Sequence, residues 1–172
     1  MMLSKLAPCI ILTISLAACS QALPEPGGLA ACPLTQPPAT HFVPPEPYPP
    51  QVPYEGFFWY GSADLWTMLP TAGVWENLAF HTDADGQHYF QKVLWWRQGY
   101  DYRTEPQPVL SVSAVNLSNA NDAIQTADTT NMYHPDIESA MLTGLEFPSP
   151  GCWQITALNH SQQLRFVVWI AP

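Results

Sequence analysis

Basic side chains are scarce in this 172-residue chain, five Lys and Arg against 14 Asp and Glu, for a formal charge of −9. Four of the five (Lys92, Arg97, Arg103 and Arg165) are scattered, and Lys5 stands near the N-terminus. A phosphate backbone needs clustered cations, so nucleic acid is excluded as a partner. Charge of either sign is sparse at 11% of residues, while seven Trp, seven Tyr and seven Phe carry more apolar surface than a disordered acidic segment has. No apolar run reaches the roughly 20 residues of a bilayer-spanning helix.

Patterns that carry chemistry are missing too. No Ser sits in a G-x-S-x-G elbow and no Gly-rich phosphate loop exists. Of five His, only His81 and His88 lie close in sequence, which is poor zinc spacing. The stretch His81–His88 fails as a calcium loop, because its first position would be His81 and its twelfth Lys92 instead of a Glu. Asp85-Gly86 within it reads as a hairpin turn. Met132, His134 and Met141 make no better case for copper, and no two carboxylates are marked as a glycosidase pair. The expectation is a protein that is not an enzyme, with no cofactor and no metal.

The N-terminus is more informative. Met1–Lys5 is a short positive region, Leu6–Ala18 is mostly apolar and ends in small residues, and Leu16-Ala17-Ala18-Cys19 has the pattern of a bacterial lipobox. Residues 1–18 are then a cleaved signal and Cys19 the lipidated first mature residue, held to a membrane by acyl chains. An ordinary secretory signal with an incidental Cys is the competing reading. Ser20 replaces the Asp that often marks inner-membrane retention, which points to the outer membrane or cell surface. With Cys9 removed and Cys19 acylated, Cys32 and Cys152 remain in a compartment that permits disulfides, and they are expected to pair. Free thiols at both positions are the alternative.

Between Pro24 and Pro53 stand 11 prolines in 30 residues. Such a stretch forms neither a helix interior nor a central strand, so residues 19–53 read as a tether or surface-hugging strap. From Tyr54 to Pro172, short runs rich in aromatic and β-branched residues recur between turn residues: Gly56–Tyr60, Asp64–Leu69, Val74–Phe80, His88–Arg97, Val109–Leu117, Ala140–Phe147, Cys152–Leu158 and Leu164–Ile170. They predict one all-β domain, an antiparallel Ig-like β-sandwich of about 7–9 strands. Asn159–Gln162 predicts a hairpin, and the polar Ser118–Ser139 a long loop with one helical turn.

Four ordered segments, Ala31–Pro37, Tyr60–Thr67, Lys92–Arg97 and Phe147–Thr156, resemble a family of bacterial lipoproteins of unassigned activity with segments like CPVTxPN, GNxxLWT, KxxWWR and FPTxGCWEVT. The resemblance implies an Ig-like sandwich and carries over no catalytic residue. Gln154 stands where that family usually has Glu.

One aromatic cluster remains as a candidate binding site: Trp95, Arg97, Tyr100 and Tyr102. On a regular strand Gln91, Val93, Trp95 and Arg97 share the more polar face, so Trp95 is the expected exposed ring and Trp96 the core residue beside Leu94. The competing reading buries all of them in the core or under the strap. Two functions follow: a lipid-anchored, non-catalytic envelope protein whose sandwich supports interaction or assembly, or a carbohydrate- or peptidoglycan-binding module using exposed rings, with an envelope protein or a glycan as the partner.

Overall fold

A computed structural model describes residues 28–83, 86–126 and 128–172; the expected signal over residues 1–18, Cys19 and Asp85 lie outside them. After a single turn at Leu29–Ala31 and the proline-rich segment come eleven strands: β1 Phe57–Ser62, β2 Leu65–Pro70, β3 Val74–Trp75, β4 Ala79–Asp83, β5 Gly86–Trp96, β6 Leu110–Asn116, β7 Ala123–Thr126, β8 Thr129–His134, β9 Glu138–Phe147, β10 Gly151–Asn159 and β11 Gln162–Ile170. They form two sheets, β1-β2-β5-β9-β8 with β4 also on β5, and β3-β11-β10-β6-β7. Every pairing is antiparallel except β3 with β11. The orders β2-β5-β9-β8 and β11-β10-β6-β7 correspond to A-B-E-D and G-F-C-C′ of an immunoglobulin variable-type sandwich.

Alternation puts one face of each strand inside. Leu110, Val112 and Ala114 of β6, Trp153, Ile155 and Ala157 of β10, and Leu164, Phe166, Val168 and Ile170 of β11 meet Phe58, Leu65, Leu69, Val93, Trp95, Met141, Leu145 and Phe147 from the facing sheet. The chain changes sheets between β2 and β3 through a turn in which Gly73 N–H donates to Pro70 O. Gly73 has φ +68°, and a Cβ there would sit 3.0 Å from Leu34 Cβ. Only Gly allows both the left-handed backbone and the close strap.

A second apolar cluster lies on the outer face of the β5 sheet. Trp59, Trp66, Trp96, Ile137 and Ala140 are buried there with Tyr48, and Phe42 and Val52 pack on them. The proline segment is therefore a strap that forms the third layer of the domain. Cys32 is bonded to Cys152 at the start of β10, with Cα atoms 5.5 Å apart. Beyond the bond, Thr35 N–H donates to Val167 O at 2.9 Å, and Val167 N–H donates to Thr35 Oγ1 at 2.8 Å. Those bonds cap part of the β11 edge that the two-residue β3 leaves open.

Two expectations need correcting. The segment Ser118–Ser139 contains β7 and β8, not one long loop with a helical turn. Both are edge strands with little burial, so nothing selects apolar residues at every second position. The expected strand Val74–Phe80 is two strands, β3 on one sheet and β4 on the other, which with β7 and β8 raises the count above nine. The Asn159–Gln162 hairpin forms as expected, with Asn159 paired to Gln162 and His160 at φ 52°.

The bond spans 120 residues of sequence. Closing such a loop stabilises by about 5 kcal/mol in the chain-entropy treatment. Cys32→Ala combined with Cys152→Ala is expected to lower the denaturant midpoint with little change in far-UV circular dichroism. An unchanged midpoint contradicts a structural role for the bond.

Candidate functional site

Trp95 is not the exposed ring. Trp95 and Trp96 are both fully buried, on opposite faces as strand alternation requires. Trp95 points between the sheets, its ring 5.9 Å from Phe166 and its indole N–H donating to Thr143 Oγ1 at 2.9 Å. Trp96 points under the strap, edge-on to Trp59, and donates to Ile137 O at 3.0 Å. Gln91 and Arg97 lend polarity to the face they share with Trp95, yet that face is covered by the second sheet.

Arg97 and Tyr100 are drawn into a network at the end of β5. Arg97 pairs with Glu105, and its guanidinium lies 5.6 Å from the Tyr100 ring centroid. Tyr100 OH donates to Glu105 O at 3.2 Å, and Tyr48 OH of the strap donates to Arg97 O at 3.0 Å. Burial removes water from both phenols. The Tyr100 phenol is pushed up to about 12, by desolvation first and the Glu105 charge second. Tyr48 is raised too, chiefly by burial. The Tyr48 hydroxyl fixes the strap to the loop after β5, and Arg97 and Glu105 pair with each other.

Tyr102 is the member of the predicted cluster that stays at the surface with a partner the sequence does not reveal. Its ring lies 5.5 Å from that of Tyr133 on β8, with the Arg103 guanidinium 4.7 Å from Tyr102 and 5.5 Å from Tyr133. Tyr133 was hidden because its segment reads as loop; only the alternation of Met132 in and Tyr133 out could have marked it. Arg103 also approaches Asp101 at 3.6 Å.

Two clefts of similar size open on the surface of the described residues. One, of about 580 Å³, lies beneath strap residues Pro38–Phe42, beside Trp59 and Tyr60. The other, of about 610 Å³, opens where β7 separates from β9. Among the described residues no group of His, Cys, Asp and Glu could hold a metal ion. Register sets His81 opposite His88. Met141 lies in the inter-sheet core, Met132 packs against the strap cluster and His134 is exposed, so these three do not converge. Comparison with family models, curated proteins and solved structures finds no match in any of the three.

Two outcomes are expected. Trp95→Ala and Trp96→Ala should each destabilise by about 3–5 kcal/mol in denaturant titrations, as core truncations; a neutral Trp95→Ala contradicts its place between the sheets. Tyr100 keeps its proton in the folded state to higher pH than the roughly 10 of an unfolded Tyr, so its contribution is complete below pH 10 and disappears as pH rises toward 12. Between pH 9 and 11 the protein should lose on the order of 1 kcal/mol more stability than Tyr100→Phe does.

Proposed function

We propose that this chain is an extracytoplasmic, lipid-anchored envelope protein whose Ig-like sandwich is a non-catalytic interaction domain. The observation that carries the reading is the Cys32–Cys152 bond. Such bonds persist in oxidising compartments, which agrees with an export signal ending at Cys19. The bond also ends the tether: only residues 20–31 remain between the acylated Cys and the domain, at most about 40 Å of extended chain. The sandwich then works close to its membrane, and Ser20 favours the outer membrane or surface. Among the described residues no helix is long and apolar enough to cross a membrane.

The non-catalytic part of the reading rests on where the polar groups go. The Arg97 and Glu105 side chains pair with each other, Tyr100 OH bonds Glu105 O, and the strap's Tyr48 OH bonds the carbonyls of Arg97 and Tyr100, so this cluster serves packing. The four segments that resemble the lipoprotein family share that architectural task. Cys32 bonds Cys152, Trp66 pairs with Trp96 and Thr67 with Trp95 across β2 and β5, and Thr67 Oγ1 donates to Leu94 O. In this chain the four segments serve to hold the strap and the two sheets together, and Gln154 lies on the outward face of β10.

The glycan-binding reading keeps one supporting observation, the surface pair of half-buried Tyr102 and exposed Tyr133 with Arg103. A glycan array probed with the full chain and with Tyr133→Ala decides it.

The anchor is tested by Cys19→Ala. The variant is expected to leave unprocessed precursor or release soluble protein, with no incorporation of labelled fatty acid. Detergent partitioning identical to that of the parent chain contradicts the reading.

A further inference from the structure

Sheet pairing on β9 stops halfway. β8 covers β9 only over Glu138–Thr143, opposite Thr129–His134. From Gly144 to Phe147, β9 keeps β5 on one side, and among the described strands none pairs with its other edge. The chain that would have continued β8 alongside it is β7, and β7 has crossed to the other sheet, where it pairs with Val112–Val115 of β6. A fork results, with an unpaired edge on each prong. An unpaired edge is a row of N–H and C=O groups able to receive another strand.

The fork holds the 610 Å³ cleft, lined by Phe90, Ile124, Asp128, Gly144, Glu146 and Pro148 among others. Its floor depends on Gly144. A Cβ there would lie 2.8 Å from Phe90 Cε2 and 3.0 Å from Cζ, so the Phe90 ring lies across bare backbone. That leaves an apolar surface beside an approachable main chain. Asp128 and Glu146 line the cleft together with His88, and no Lys or Arg does. Lys92, opposite Gly144 in register, is exposed outside it.

We propose that this fork takes an extended polypeptide segment carrying Lys or Arg, which adds as a short strand along β9 from Gly144 to Phe147. The strand direction supplies backbone hydrogen bonds over about four residues, some 13 Å. Basic side chains of the added strand fall on the face that Phe90 and Glu146 share as cross-strand partners, with stems along Phe90 and charges at Glu146 and Asp128, while the alternate apolar ones turn to the face of Leu145. The inference deepens the interaction-domain reading by naming the site and the chemistry of the partner, and it stands apart from the anchor because binding is read on the protein whether or not it is lipidated.

The test uses the full chain in detergent and a fluorescent octapeptide of alternating Lys and Val, followed by anisotropy at physiological salt. Saturable binding is expected. Glu146→Lys should weaken it by about tenfold or more, as loss of one charge-assisted contact, and Asp128→Lys should act likewise. Asp64→Lys, at the opposite end of β5 where Gln98 N–H donates to Ala63 O, should leave it unchanged. A peptide with alternate backbone nitrogens methylated should not bind. Four results overturn the proposal: no saturable binding; equal weakening by Asp64→Lys, the mark of diffuse attraction to an acidic protein; undiminished binding of the methylated peptide; or displacement of the peptide by an uncharged oligosaccharide.

Discussion

The contact between the strap and Trp66 is the one on which the rest of this structure depends. Phe42 and Tyr48 approach the Trp66 ring at 5.6 and 5.0 Å, and Trp66 is fully buried as a result. A sandwich normally wets the outer faces of its sheets. Here the outer face of β1, β2 and β5 bears Trp59, Trp66 and Trp96, far too much apolar surface to leave in water. Proline suits the covering task, because a chain with φ already fixed loses little entropy when held extended against flat rings. The bond at Cys32 and the edge pairing at Thr35 hold one end, and the Tyr48 hydroxyl holds the other.

That constraint decides what the aromatic residues can do. A strand with adjacent tryptophans must place them on opposite faces, and when both faces are covered neither ring is free to stack on a ligand. The cluster that is densest in sequence is the most thoroughly internal. Binding capacity passes instead to places that packing leaves incomplete: the Tyr102–Tyr133 pair, and the fork where β7 changes sheets. The indole N–H groups of Trp59 and Trp66 find no acceptor, a local cost, of about 1–3 kcal/mol each, that the burial of large rings has to offset.

The sandwich, its last hairpin and the disulfide were legible because each rests on local rules: alternation in β10 and β11, a polar four-residue break, and a count of the thiols left once Cys9 and Cys19 are set aside as the N-terminal pattern suggests. That the proline segment is extended was legible from composition alone, since so many prolines exclude helix and central strand, but composition left open whether it is a tether or a strap. What could not be read was which faces are covered. Gln91 and Arg97 gave their strand face a polar look, yet Arg97 belongs to a network with Glu105 and Tyr100 that forms only when the loop folds back. Likewise β7 and β8 are polar because they lie at edges, and polarity without periodicity looks the same in a loop. Tyr133, the partner of Tyr102, lay in that stretch, and so did the β7 prong of the fork.

The central claim is that the strap is a layer of the folded domain and not a loose tether, and native-state amide hydrogen exchange tests it most directly. Thr35 and Tyr48 donate their N–H groups to Val167 O and Pro45 O. If the strap is a layer, both amides exchange slowly, with protection approaching that of Trp95 and Trp96 in β5. Exchange of Thr35 and Tyr48 at the rates of an unfolded peptide, while β5 stays protected, contradicts it.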